Sequence, residues 1–343
     1  MIVAIRERQH TTGFRHIKRL TDDRGILEHA KGPHPRFHMG YCTDDNARLL
    51  IVCVRDTEST EETNELARIA ARFVFDSQRS DGLVHNRMSF DRIWIDTPGT
   101  DDCWGRSLWA LGEAVLRSAD TELQNRCFES FLIGAGARSE SLRSMCFAAI
   151  GAACILEEDA RNTEARYLLH DARAMFAFNP DGRGRWRWPE PRLAYANAVI
   201  PEAMIACGVA LGDDALVYRG THLLDWLVNV ETLGDHLSVT PAGGRGPDDV
   251  SPMFDQQPIE VAALADAAIR AGEATGQESW DDVVHMAGNW FLGNNDAGMP
   301  MIDLESGGGY DGLHADRVNI NQGAESTLAM ISTMQHRSAL WLV

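Results

Sequence analysis

Residues 43–52 read Thr43-Asp44-Asp45-Asn46-Ala47-Arg48-Leu49-Leu50-Ile51-Val52. The same tripeptide returns as Thr100-Asp101-Asp102, again directly before an apolar run, which continues to Leu111. Acidic residues in the first turn of a helix are stabilised by the helix dipole, so each doublet predicts a helix start. Each doublet also places carboxylates at the mouth of any cavity that its helix lines. If both helices begin at one cavity, we expect up to four carboxylates to face a single site.

The rest of the chain repeats this pattern. Six segments combine small and apolar residues at helical spacing with few charges, which predicts helices buried nearly all round. They are 44–56, 101–117, 141–157, 195–211, 256–271 and 321–336. Five charged, amphipathic segments alternate with them and predict surface helices: 59–78, 120–133, 161–177, 213–230 and 277–292. A helix around residues 10–20 would supply a sixth outer partner. We therefore predict an all-α fold, a single (α/α)6 toroid over residues 1–343 with that N-terminal helix closing the ring.

Polar residues concentrate at the front of each buried segment, whereas the far ends are mostly Ala, Leu and Ile. Inner helices of such a toroid run parallel, so their starts meet at one mouth, and we expect a deep polar pocket there. Helix capping is the competing explanation for these polar residues, because Thr43, Thr100 and Asn321 are good N-cap residues. Capping does not account for Gln256 and Gln257, since amides gain little from the helix dipole.

Carboxylates, amides and aromatic rings are the groups that proteins use to bind sugars and to cleave glycosidic bonds. We expect Asp44 and Asp45 to act as acid, base or nucleophile, with Asp102 as a third candidate. Adjacent residues on a helix point about 100° apart, so only one aspartate of each doublet is expected to face the cavity squarely. The expected sugar-binding residues are Asp101, Trp104, Trp188, Tyr195, Asn197, Gln256, Gln257, Glu260, Tyr310, His314, Gln322 and Glu325.

The amino-acid composition limits the classes of partner that the protein is expected to bind. The 32 basic and 50 acidic residues give a net charge of −18, which argues against nucleic acid or an anionic membrane surface as a partner. No apolar run reaches membrane-spanning length, so no membrane insertion is expected. Seven scattered cysteines without a CxxC pair predict buried, reduced thiols, and with the charged first residues they favour a cytoplasmic protein. The spacing of His38, Cys42 and Asp44 matches no strong zinc pattern, so we expect no metal and no cofactor.

Three motifs carry a resemblance to known proteins: residues 40–48 (Gly-Tyr-Cys-Thr-Asp-Asp-Asn-Ala-Arg), residues 255–260 (Asp-Gln-Gln-Pro-Ile-Glu), and residues 310–314 (Tyr-Asp-Gly-Leu-His) together with 321–327 (Asn-Gln-Gly-Ala-Glu-Ser-Thr). They resemble a bacterial family of six-hairpin, glycosidase-like proteins. Members are often labelled glycosyltransferases, because the region resembles a segment that follows a glycosyltransferase domain in longer proteins. The resemblance implies the toroid fold, a carbohydrate substrate and a glycosyltransferase as a partner. This chain lacks a Rossmann-like donor-binding half, which argues against sugar transfer by this chain alone.

Two looser similarities bear on the reaction. Endo-α-mannanases with this toroid use two consecutive aspartates on an inner helix as nucleophile and acid/base, and Asp44-Asp45 is similar to that pair. Unsaturated glucuronyl hydrolases use aspartates from different inner helices, a pairing that Asp44 or Asp45 with Asp101 or Asp102 would match. These similarities imply a glycoside hydrolase-like enzyme that acts on an oligosaccharide.

Two other functions are open at this stage. The first is a non-catalytic sugar-binding or interaction module that serves a glycosyltransferase. The second is an isoprenoid cyclase, because residues 42–47 resemble the acidic motif of proton-initiated cyclases. Cys42 stands where that motif has its first aspartate, and the amides expected at the mouth argue against a hydrocarbon substrate.

Overall fold

The computed structural model describes residues 14–178 and 186–340. Within them, six buried helices form an inner ring, and each contacts the next until the sixth meets the first. This closed ring of helices, surrounded by a second layer, confirms the predicted (α/α)6 toroid. The inner helices are α2 (Thr43–Val54), α4 (Asp102–Arg117), α6 (Leu142–Glu158), α8 (Val199–Leu211), α10 (Pro258–Thr275) and α12 (Ala324–Ala339).

The outer helices carry buried residues on one stripe only, as their amphipathic sequences predict. They are α1 (residues 14–20), α3 (Glu61–Ser77), α5 (Thr121–Gly134), α7 (Thr163–Met175), α9 (Asp214–Val230) and α11 (Ser279–Phe291). Helix α1 buries Phe14, Ile17 and Leu20 in the main core. Residues 10–13 of the predicted closing helix lie outside the described residues, so its full extent and the single-domain assignment stay predictions.

Short antiparallel strand pairs and one 3-10 helix stiffen the loops. Strand β3 runs directly into α2 and pairs with β4, with Tyr41 opposite Met88 and Cys42 opposite Arg87. The start of α2 is thereby fixed against the loop between α3 and α4. The strands are β1 (Ala30–Lys31) with β2 (His34–Pro35), β3 (Tyr41–Cys42) with β4 (Arg87–Met88), β5 (Thr232–Leu233) with β6 (His236–Leu237), and β7 (Gly312–Leu313) with β8 (Val318–Asn319), and the 3-10 helix is Phe37–Met39.

Helices α4 and α6 approach each other unusually closely, and glycines make this possible. A Cβ atom added at Gly112 would lie 2.3 Å from the Gly151 carbonyl oxygen, and one at Gly151 would lie 2.1 Å from the Leu108 carbonyl oxygen. Neither position can accept a side chain without moving a backbone. All seven cysteines are buried and unpaired, as expected. Among the described helices, none combines the length and the apolar character needed to cross a membrane.

Candidate active site

The inner and outer helices begin in different ways. Four described outer helices start with a side chain that accepts a hydrogen bond from the first turn, from Thr60, Asp120, Asn162 and Asp213. Among the inner helices only α6 has such a cap, Ser141. The residue at the N-cap position is Cys42 in α2, Asp101 in α4 and Gly323 in α12, and none of the three caps with its side chain. Capping therefore does not explain the aspartate doublets, and their carboxylates are available for other contacts.

A first cavity of about 360 Å³ opens where α2 and α12 begin, and we call it the acidic cavity. Asp44 and Asp45 both line it, although only one of them was expected to face it. Both reach it because the cavity extends around the end of α2 and is also walled by loops from other parts of the chain. Its full lining is Glu28, His29, Cys42, Asp44, Asp45, Arg48, Arg87, Asp255, Gln257, Asp311, Asn319, Gly323, Glu325 and Ser326.

Asp45 is almost completely buried, with 2% of its surface exposed. Its Oδ1 atom accepts a hydrogen bond from Arg48 Nη1 at 2.7 Å, and its Oδ2 atom accepts one from Cys42 Sγ at 3.1 Å. Burial raises the pKa of Asp45 to about 7, and the Arg48 charge opposes this shift without cancelling it. Arg48 also binds Glu325 at 2.8 Å and so connects α2 to α12. A carboxyl with this pKa exchanges protons at neutral pH.

Asp44 has a more polar environment than Asp45. Its Oδ2 atom accepts a hydrogen bond from Asn86 Nδ2 at 2.9 Å, and its Oδ1 atom lies 3.5 Å from Arg106 Nε. Arg106 is buried, and its guanidinium lies 3.9 Å from the centre of the Phe147 ring. Burial, reinforced by the charge of Arg48, lowers the pKa of Arg106. One hydrogen-bond donor, Asn86, and the charge of the buried Arg106 thus hold the Asp44 carboxylate in place, and its Oδ1 atom accepts no hydrogen bond from the residues that the structure describes.

The second doublet lies in a different cavity, of about 340 Å³, which we call the tyrosine cavity. Four carboxylates therefore do not face one site, and that expectation is wrong. Asp102, the third catalytic candidate, accepts a hydrogen bond from Ser144 Oγ at 2.8 Å and binds the Tyr195 hydroxyl. Asn86 belongs to this cavity and binds Asp44 of the other, so the two cavities adjoin. The lining is Val84, Asn86, Asp96, Thr97, Gly99, Asp101, Asp102, Cys103, Ser141, Ser144 and Tyr195.

Other predicted site residues reach the mouth as expected. Gln257 and Glu325 line the acidic cavity, and Asp101 and Tyr195 line the tyrosine cavity. His314 lies at the edge of the acidic cavity, with its Nδ1 atom 4.0 Å from Asp255 Oδ1. These placements keep the residues as candidates for sugar contact.

Eight predicted residues line neither cavity, and four of them make their contacts elsewhere in the molecule. Trp104 is fully buried and donates from Nε1 to the Gly134 carbonyl of α5. Gln256 accepts from Trp290 Nε1 and donates to Asp296, both away from the mouth. Gln322 donates to Asp303 Oδ2 at 2.9 Å, and Tyr310 packs on the main core. The expected sugar contact is corrected for Trp104, Gln256 and Gln322, because successive positions at a helix start point to different sides and these side chains are buried with partners elsewhere. Tyr310 is only partly buried, and its sugar contact stays a prediction.

Asn197, Glu260 and Trp188 are also buried, but they belong to a network beneath Tyr195. Glu260 accepts from the Ala196 backbone N–H at 2.5 Å and from Asn197 Nδ2 at 3.0 Å. Burial, with the charge of Glu231 added, raises the pKa of Glu260 to about 8. Trp188 donates from Nε1 to Glu190 at 3.1 Å. These residues are buried beneath Tyr195 and line neither cavity, so the structure gives no support to their predicted sugar contact.

Several cavity residues were missed at the level of sequence. Arg48 lines the acidic cavity and follows Asp45 by three residues, a spacing that brings opposite charges together on a helix and could have identified it. Arg106 contacts Asp44 from another helix, so spacing along the chain does not reveal that pair. Glu28 and Asn86 come from loops with no local pattern, so no sequence signal points to them. Asp311 enters from the loop before α12, and burial raises its pKa. Glu28 and Asp311 complete the acidic cavity, and Asn86 completes the tyrosine cavity.

A group of possible metal ligands lies in the same cavity. Within the described residues, ligand atoms of Glu28, Cys42 and Asp45 fall within 4.8 Å of one another. Arg87 binds Glu28, and Arg48 binds Asp45, so protein cations already balance both carboxylates. His38 lies on the 3-10 helix Phe37–Met39 and is not part of this group. We therefore assign no metal to these residues.

The far end of the barrel is more polar than its sequence suggests. Arg55 binds Glu113 and Asp266 there, each at 2.6 Å, and His336 Nε2 lies 2.6 Å from the same Asp266 oxygen. We call these four residues the basal ion cluster. The expectation of plain apolar ends is wrong, because single charged residues from four inner helices or their ends converge when the ring closes. A mainly apolar interior cavity separates this cluster from Arg48 and the mouth.

No protein-family model and no curated protein matches this sequence. Solved structures do match it. A sugar epimerase from a ruminal bacterium aligns over 98% of this chain and 99% of its own, with a TM-score of 0.70 and 14% identity. A D-mannose isomerase aligns over 98% of both chains, with a TM-score of 0.71 and 10% identity. The GH76A alpha-1,6-mannanase from Salegentibacter sp. HEL1_6 aligns over 98% of this chain and 99% of its own, with a TM-score of 0.63 and 12% identity.

At these identities the likeness establishes the fold. The chain therefore has the six-hairpin, glycosidase-like (α/α)6 fold that its motifs predicted. An association with a glycosyltransferase and a cytoplasmic location stay predictions.

Proposed function

We propose that this protein is a carbohydrate-processing enzyme, and specifically a glycoside hydrolase that cleaves an oligosaccharide with Asp44 and Asp45. One observation carries the proposal: the two aspartates share a cavity, neither caps its helix, and their environments differ. Glycoside hydrolysis needs one carboxyl group that gives up a proton and one that is ionised. Unequal environments for two neighbouring carboxyls are how enzymes separate these roles.

The environments assign the roles. Asp45, buried and with a pKa of about 7, donates its proton to the glycosidic oxygen as the bond to the anomeric carbon breaks. Asp44, held by Asn86 and Arg106, stabilises the positive charge that develops on the sugar. One water molecule supplies the new hydroxyl on the anomeric carbon, and its other proton returns to Asp45. The net reaction consumes one water and leaves both aspartates as they began.

The charge of the acidic cavity favours a class of sugar. Its lining contains more carboxyl groups than cations: Glu28, Asp44, Asp45, Asp255, Asp311 and Glu325 against Arg48 and Arg87. Such a surface repels phosphorylated sugars and uronic acids and accepts neutral sugars. The similarity to mannanases therefore fits the cavity better than the similarity to glucuronyl hydrolases.

The proposal is tested by release of reducing ends from α- and β-linked manno-, gluco- and galacto-oligosaccharides, with and without phosphate. We expect the wild type to turn over at least one of them and Asp45→Asn to lose at least 100-fold in kcat. Asp282→Asn is the matched control, because Asp281 and Asp282 form an acidic pair in the first turn of the outer helix α11. This control should keep wild-type activity.

Turnover that survives in Asp45→Asn would refute the assigned role. If no sugar is turned over but some raise the melting temperature, the protein is the non-catalytic sugar-binding module instead.

A further inference from the structure

We infer that the tyrosine cavity is a second sugar subsite, so that the substrate is a linear oligosaccharide occupying both cavities with the cleaved bond beside Asp44. The position of the cleaved bond rests on the proposed function. The occupation of the second cavity does not, because it follows from the shape and chemistry of that cavity alone.

The two cavities are similar in size and adjoin where Asn86 meets Asp44. They measure about 360 and 340 Å³, and each is large enough for a small polar ligand. Asn86 lines one cavity and Asp44 lines the other, and a hydrogen bond of 2.9 Å joins them. Two sugars placed one in each cavity would have their linkage over this pair. A single sugar would leave one of the two cavities empty.

The tyrosine cavity contains the groups that recognise sugars. Tyr195 keeps 45% of its surface exposed and offers an aromatic face to the cavity. Burial, together with the neighbouring Asp102 charge, raises the pKa of the Tyr195 hydroxyl, which therefore stays protonated. Asp96, Thr97 and Ser141 supply further oxygen atoms around it. An aromatic face for the ring and oxygens for the hydroxyls form a sugar-binding surface.

The position of Tyr195 is fixed by the buried Arg143 and its partly buried partner Glu190. Arg143 donates from Nε to the Tyr195 carbonyl at 2.6 Å, and its guanidinium lies 4.9 Å from the centre of the tyrosine ring. Glu190 pairs with Arg143 through both carboxylate oxygens, at 2.7 and 2.8 Å. The next residue, Ala196, has a φ of +44°, a left-handed conformation that is unfavourable for a residue with a side chain. A half-exposed ring held on a strained turn by this network is preorganised to contact a ligand.

The test compares substrates of different length. Once the panel above identifies the sugar, kcat/KM is measured for its glycosyl fluoride and for its di-, tri- and tetrasaccharides. The fluoride leaving group is too small to fill the second cavity, so this substrate leaves the tyrosine cavity without a sugar. In the wild type we expect kcat/KM to rise at least tenfold from fluoride to trisaccharide.

In Tyr195→Ala, kcat/KM should fall about tenfold on the trisaccharide and stay within twofold of wild type on the fluoride. Tyr195→Phe should keep most of the length dependence, since it keeps the ring. Tyr167→Ala, on the surface of α7 with the ring 66% exposed, is the matched control and should behave as wild type.

Two results would overturn the inference while leaving the proposed function intact: equal losses on fluoride and trisaccharide in Tyr195→Ala, or no loss on either. If the wild type turns over nothing, the proposed function fails and the subsite is tested by calorimetric binding of the trisaccharides of the panel. A dissociation constant weakened about tenfold by Tyr195→Ala then supports the second subsite. An unchanged constant, or no binding to the wild type, overturns it.

Discussion

At the scale of single residues, the difference between Asp44 and Asp45 is set by solvent. The two are neighbours in sequence, and both belong to the first turn of α2. Asp45 points where water is excluded, so burial disfavours its charged form, whereas Asp44 is held by an amide and a guanidinium. The sequence predicted both residues as catalytic candidates. It could not assign their roles, because burial depends on loops that come from elsewhere in the chain.

The pKa of Asp45 predicts the pH dependence of activity. Only the protonated form can act as general acid, so kcat/KM should decline as the pH rises above about 7. The Arg48 charge opposes the shift, so its removal in Arg48→Met should raise the pKa further and move the alkaline limb to higher pH by about one unit. The measurement is the pH profile of kcat/KM for both proteins. An alkaline limb that does not move, or moves to lower pH, would show that Asp45 is not the group that titrates.

The same carboxyl predicts a pH dependence of stability. The pKa of Asp45 is raised from 3.8 to about 7 in the folded protein, so between these values the folded state binds more protons than the unfolded state. Its contribution to stability therefore falls as the pH rises through that window and stays low above it. Asp45→Asn lacks this group. In urea unfolding, the free energy of unfolding of the variant should therefore increase relative to that of the wild type from pH 5 to pH 8. If the variant is less stable than the wild type by the same amount at both pH values, a capping role for Asp45 is favoured.

At the scale of helices, the contact of α4 with α6 depends on missing side chains. Gly112→Ala would push a methyl group against the Gly151 backbone, at 2.3 Å from its carbonyl oxygen. Alanine favours a helix over glycine by about 1 kcal/mol, but separating two packed backbones costs more, so we expect a net loss of about 2–3 kcal/mol. Gly272→Ala is the control in inner helix α10, because its nearest contact is Trp280 Cβ at 3.7 Å.

The control should stabilise the protein by up to about 1 kcal/mol. Both values come from urea unfolding at one pH. If the two substitutions change the free energy of unfolding equally, α4 and α6 can move apart without loss of stability.

The helices themselves were largely predictable, and their starts were less so. Apolar periodicity identified all six inner segments, because a helix buried all round excludes charge along most of its length. The prediction began α8 at residue 195, but the helix begins at Val199. Residues 195–197 instead form a turn held by Glu260 and Arg143, which belong to other helices. Contacts of that kind decide which polar residues reach the mouth, and they are not encoded in local pattern.

At the scale of the whole molecule, ring closure brings together charges that are far apart in sequence. Glu113 and Asp266 each lie among small and apolar residues inside an inner helix, and such a charge gives no indication of its partner. Arg55 lies 58 positions from the first and 211 from the second, and only a closed toroid places all three in contact. The sequence therefore predicted the ring of helices and its polar mouth but not the basal ion cluster at the other end.

The basal ion cluster predicts a large effect of a single substitution. Burial alone would raise the pKa of both Glu113 and Asp266. Arg55, together with Arg117 at Glu113 and His336 at Asp266, more than offsets burial, and both pKa values are lowered. Arg55→Met keeps the length of the side chain and removes the charge, which leaves two buried carboxylates with less compensation. We expect a loss of about 3–5 kcal/mol in the free energy of unfolding at pH 8. Arg68→Met, on the surface of α3 with exposed partners, should cost less than about 1 kcal/mol.

The pH dependence separates lost charge from lost packing. Without Arg55, the folded-state pKa values of Glu113 and Asp266 should rise above their unfolded values, so the folded variant would take up protons as the pH falls. Its deficit relative to wild type should therefore be smaller at pH 5 than at pH 8. A deficit of the same size at both pH values would mean that Arg55 acts by filling space. The proposed active site lies at the opposite end of the barrel, so folded Arg55→Met should keep the kcat of the wild type in the oligosaccharide assay.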